Sequence, residues 1–135
     1  MTIDLVLLFF ALAAPLFLWP IEYFFPFPFI AEEIAKGGLI YFNDRLGNSI
    51  LVGFFFALSE TGLYSFNLSA TDTFTVDFFV RLIVTSGLHI STVIIMSLLS
   101  SKSKYLLLPG ILISIVIHYF YNKFFGYPPV FSAFG

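Results

Sequence analysis

Apolar runs of close to twenty residues, parted by short polar or proline-rich stretches, fill this chain from Ile3 to Phe125. A helix needs about 20 such residues to cross a bilayer. The expected fold is therefore an all-α, polytopic membrane helix bundle with no soluble domain. Composition agrees: 59% of residues are hydrophobic and 10% charged, where a soluble domain carries about a quarter charged. The mean hydropathy is +1.00. The net charge of −2 says nothing about nucleic acid, but no basic patch exists to bind it, and the lipid bilayer is left as the surrounding medium. The absence of cysteine rules out disulfides, thiolate nucleophiles and thiolate metal sites.

Five spans are expected, over residues 3–19, 29–42, 48–66, 76–99 and 105–125, in one domain. Met1 to Asp4 lacks the basic flank of a secretory signal, so the first run is read as a retained span. Pro15 is expected to kink it, and the stretch from Trp19 to Pro28, rich in aromatics and proline, to form an interfacial turn. The 29–42 run is short, at roughly 22 Å for 1.5 Å per residue. A polar loop is expected over Asn67–Thr75. Arg45, Lys102 and Lys104 fall on the side of the N-terminus, whereas Lys123 lies opposite with Glu22 and Asp72. By the positive-inside rule the N-terminus faces in and the C-terminus out, as in a prokaryotic cytoplasmic membrane.

Ionisable residues inside such runs carry the functional signal. Each costs about 2.5–3.5 kcal/mol on insertion scales and so belongs beside a water-filled cavity or a partner. On the second span Glu32 and Glu33 lie four and three residues before Lys36, so one ammonium is in reach of both carboxylates. On the third, Gly53, Ala57, Glu60, Tyr64 and Asn67 share a face; on the fourth, Asp77, Arg81, Thr85, His89 and Thr92 do. Glu32, Glu33, Glu60 and Arg81 fall at a common depth of roughly 6–10 Å from the outer end of their spans. His89 lies deeper.

The run Glu32-Glu33-Ile34-Ala35-Lys36 resembles the E-E-x-x-K motif of the PrsW family of intramembrane proteases. Gly53-Phe54-Phe55-Phe56-Ala57-Leu58-Ser59-Glu60 with Tyr64 is similar to that family's second segment, and Arg81 followed by His89 to its third. The resemblance covers about residues 30–99. Thr61 stands where the family usually has Asn, the span number is smaller than usual, and the E-E-x-x-x-R of the related CAAX prenyl proteases is absent.

The resemblance implies a glutamic-type protease that cleaves single-pass membrane proteins, such as anti-sigma factors, near the extracytoplasmic side. Two neighbouring carboxylates in a low dielectric do not both ionise cheaply, which suits one of them to take a proton from water. Glu32 is the expected base and Glu33 its partner, countered by Lys36. Glu60 would hold the water or orient His89, and His89 would donate to the oxyanion or the leaving amine. Arg81 would fix a carboxylate, Asp77 or Glu60. No cofactor is expected: a divalent metal such as zinc is the less favoured choice, because H-E-x-x-H is absent and zinc recruits more His or Cys.

Structural readings stand beside these. The Glu32–Lys36 segment would be a solvated helix start if the second span began at Gly37. Glu60 would be a neutral acid bonded across helices, Arg81 and Asp77 an interfacial pair, and His89 a buried donor. His118, grouped with Ser114, Tyr121 and Asn122, lies outside the resemblance and is read as structural; Tyr23, Tyr105 and Tyr127 are read as belt residues. The competing functions are a proton- or ion-coupled transporter component, which at this length requires a homo-oligomer, and an inactive helix-binding scaffold.

Overall fold

A computed structural model describes residues 4–43, 45–68 and 74–125, with the side chains of 22–23, 66–68 and 74–77 outside that description. Five α-helices follow one another: α1 Leu5–Phe24, α2 Pro28–Phe42, α3 Leu46–Leu68, α4 Phe74–Lys102 and α5 Leu107–Phe125, with a 3-10 turn at Lys104–Leu106 before the last. No strand occurs among the described residues. Hydrocarbon offers backbone amides no partner, so helices that satisfy their own are the expected answer to such a sequence. Three stretches, Leu46–Ser65, Phe78–Lys102 and Lys104–Phe125, are long and apolar enough to cross a membrane, and Leu5–Ile21 is a shorter apolar helix. These mark the chain as a membrane protein. Its outward surface agrees: Phe17, Phe24 and Ile83 are 75%, 83% and 71% exposed.

α2 to α5 begin and end within a few residues of the expected spans. α1 differs, since it runs on past Trp19 to Phe24 and contains both Pro15 and Pro20. Each proline removes one backbone donor, yet the helix recovers beyond Pro20, and the Phe25 amide closes on the Ile21 carbonyl at 2.9 Å. The turn is thus confined to Phe25–Phe27, with Pro28 in the first turn of α2, where its missing N–H costs nothing. Most of the expected Asn67–Thr75 loop, and Asp72, Asp77, Tyr23 and Tyr127 as side chains, lie outside the described residues. At the start of α1 the Asp4 carboxylate accepts from the Leu7 amide at 3.1 Å and from the Asn43 side chain at 3.2 Å. These two bonds hold its pKa below the usual aspartate value.

The interior divides along the bundle axis. Toward the end that carries Arg45 and Lys104, Leu7, Ala11, Ile40, Val52, Val93, Met96 and Leu107 form an apolar core. Toward the other end the buried residues include the ionisable Glu32, Glu33, Lys36, His89 and His118. Gly53 joins the two halves: a methyl at its Cα would stand 2.7 Å from the Ile90 Cα and 2.9 Å from the His89 carbonyl carbon. Backbone cannot yield as a side chain does, so α3 touches α4 there only because residue 53 has no side chain. Gly53→Ala is expected to destabilise the bundle by about 1–3 kcal/mol through overpacking. Thermal unfolding in detergent checks it, with Gly38→Ala as the neutral comparison because no atom lies within 4 Å of that added methyl.

Candidate functional site

Four helices each bring at least one ionisable side chain to the polar end. Glu32 and Glu33 are adjacent on α2 and therefore point about 100° apart. Glu33 and Lys36 are fully buried, and Glu32 is 6% exposed. The Lys36 ammonium donates to Glu33 Oε1 at 2.5 Å, to the Thr92 hydroxyl at 3.2 Å, and lies 2.8 Å from His89 Nδ1. The Phe56 ring covers it at 5.3 Å from its centroid. A buried lysine set among a carboxylate, an imidazole, a hydroxyl and an aromatic face has traded its water shell for fixed partners.

On the far side of His89, Nε2 lies 2.5 Å from Glu60 Oε2. Arg81 approaches the other oxygen of Glu60 at 3.7 Å and lays its guanidinium 3.6 Å from the centroid of the Tyr64 ring. Glu60 therefore links the deeper His89 to Arg81, which stands eight residues, about 12 Å, along α4. Both are within reach of one carboxylate because the arginine side chain is long and extends toward it.

Ligand atoms of Glu32, Glu60 and His89 lie within 4.8 Å of one another. Three helices thus converge on one small volume, with two carboxylates and an imidazole around it. By distance alone the group is compact enough to share a cation, and equally compact enough to hold one water.

Of the residues singled out from sequence, Glu32, Glu33, Lys36, Glu60, His89, Arg81 and Tyr64 join one connected cluster. The helix position of Asp77 is given in α4 but its side chain is not described. The expectation that one ammonium serves both glutamates becomes more specific: Lys36 takes Glu33, while Glu32 turns toward Glu60 and His89.

His118, which the sequence reading sets apart as structural, joins the same cluster. Its Nδ1 donates to Glu33 Oε1 at 2.7 Å, its Nε2 stands 3.8 Å from Glu32 Oε2, and Phe29 packs on its ring at a centroid distance of 5.7 Å. The signal that could have found it was the polar stripe with Ser114 and Tyr121 on an otherwise apolar helix. Ser114 donates to the Thr92 carbonyl at 3.3 Å, and Tyr121 pairs with Thr85 at 3.5 Å. Ser114 and Tyr121 thus meet α4, while His118 between them reaches the glutamates of α2. No family model matches the chain, and no characterised protein or solved structure does.

Proposed function

We propose that this protein is an intramembrane endopeptidase that hydrolyses peptide bonds of membrane-anchored proteins with a water activated by Glu32. The observation that carries the reading is the convergence of Glu32, Glu60 and His89 from three helices to within 4.8 Å. Charged groups are expensive in hydrocarbon and are kept where chemistry or transport uses them.

A water held between Glu32 and Glu60 gives one proton to the Glu32 carboxylate as its oxygen adds to the scissile carbonyl carbon. His89 Nε2–H, which bonds Glu60 Oε2 in the resting site, is shared with the oxyanion as charge develops there. Collapse of the tetrahedral intermediate breaks the C–N bond, and Glu32 returns the proton to the leaving amine. Glu33, occupied by Lys36 and His118, holds α2 in register rather than reacting. The substrate class, single-pass proteins cut near the extracytoplasmic face, follows from the resemblance to PrsW proteases and from the depth of these residues in a chain with its N-terminus inside.

One observation favours a second reading. His118, Glu33, Lys36, His89, Glu60 and Arg81 form a continuous chain of polar contacts, the kind of array that relays protons in transporters. Purified protein in liposomes separates the two. Cleavage of a panel of single-pass substrates that survives chelator is the expected outcome. Proton uptake without cleavage of any substrate in the panel would overturn the protease reading in favour of transport.

A further inference from the structure

We infer that Lys36 is a positioning residue that locks His89 in the tautomer with its proton on Nε2, and thereby makes the Glu32–Glu60–His89 volume a water and oxyanion site that refuses a divalent cation. The inference deepens the protease reading, since that tautomer keeps on Nε2 the hydrogen that Glu60 holds at rest and that an oxyanion would share.

Hydrogen-bond capacity carries the argument. An ammonium has three protons and no lone pair. Lys36 has three acceptors within 3.2 Å: Glu33 Oε1, His89 Nδ1 and Thr92 Oγ1. Thr92 spends its own proton on the His89 carbonyl at 3.1 Å, so its oxygen is left to accept from the lysine. Glu33 Oε1 accepts from both Lys36 and His118, using its two lone pairs. With two protons placed on these oxygens, the third points at His89 Nδ1, which must present its lone pair.

A neutral imidazole that accepts at Nδ1 carries its hydrogen at Nε2. That hydrogen faces Glu60 Oε2, while Arg81 approaches the carboxylate's other oxygen at 3.7 Å. The groups that face the pair are Glu32 and Glu33 from α2, Phe56 and Glu60 from α3, Thr92 and Arg81 from α4, and His118 from α5. The Phe56 face above the ammonium closes the remaining approach.

Metal binding needs the lone pair that this arrangement removes. Coordination by His89 Nε2 would move the ring proton to Nδ1 and set an N–H against the ammonium 2.8 Å away. Second-shell partners ordinarily fix a ligating histidine by accepting from its other nitrogen. Lys36 does the reverse.

The test is nitrogen NMR of protein labelled at its two histidines, in micelles, with resonances assigned from a His118→Gln sample. The tautomer is read whether or not any substrate is cut, so its failure is separate from failure of the protease reading. A protonated Nε2 with a lone-pair Nδ1 at His89, unchanged on adding excess Zn²⁺, is the expected result. Lys36→Arg should keep that pattern, and Lys36→Met, which leaves Glu60 accepting from Nε2 but removes the ammonium that forbids an Nδ1–H, should keep it only without metal and allow Zn²⁺ to move the His89 signals. An Nδ1–H or doubly protonated His89 in the wild type, or a Zn²⁺-shifted Nε2 there, would overturn the inference even if neither variant folds.

Discussion

Glu32→Gln is expected to lower peptide-bond cleavage by about 10²–10⁴-fold, the range that a positioned general base contributes, while leaving the melting temperature in detergent nearly unchanged. Glutamine keeps the shape and one carbonyl oxygen of the side chain, so the packing against His118 and the neighbours of α2 persists. What it cannot do is accept a proton from water and return it. The loss should appear in kcat, with KM for a single-pass substrate moving little, because the interaction removed is made in the transition state. Glu33→Gln in parallel should cost much less activity per unit of folded protein, since Glu33 is occupied by Lys36 and His118. Equal losses at the two positions would mean that the base is shared, or that Glu33 rather than Glu32 meets the water.

The largest effect on stability belongs to the other glutamate. Glu33→Leu leaves a fully buried ammonium facing an apolar side chain, and it also strips His118 of its acceptor. Removing one partner of a buried ion pair costs about 3–5 kcal/mol. A bundle of this size has little more than that in reserve. The expected result is loss of monodisperse protein in detergent or a large fall in melting temperature. Replacing both members of a buried pair removes the stranded charge, so Glu33→Leu with Lys36→Met should recover much of the loss. A double variant no better than the single one would show that the His118 contact, rather than the ion pair, is the source of the stability.

The helices of this chain are legible because hydrocarbon forces long apolar runs and confines charge to their ends, as at Arg45 and Lys102. The first one is misread at its end: prolines and aromatics that look like a turn are absorbed into α1, because a helix survives the loss of one backbone bond when its next turn closes. Glu60 and His89 stand out for the opposite reason, being polar where nothing polar is expected. His118 carries the same signal in weaker form, with its acceptor Glu33 lying 85 residues away and on another helix. Which of the two adjacent glutamates meets Lys36 is set by the rotation of α2, and that follows from packing such as Gly37 against Ile111, which no local pattern encodes.

The wiring of Lys36 also sets an order of assembly. Its partners His89 and Thr92 lie 53 and 56 residues further along the chain, which at about 5–20 residues per second is some 3–11 seconds of synthesis. During that interval α2 has two carboxylates and one ammonium but none of the side chains that will receive them from α4 and α5. A segment of 15 residues with that burden gains little by entering lipid alone. α2 is therefore expected to settle only after α4 and α5 have been made, as the last-closing part of a bundle whose later helices supply its solvent.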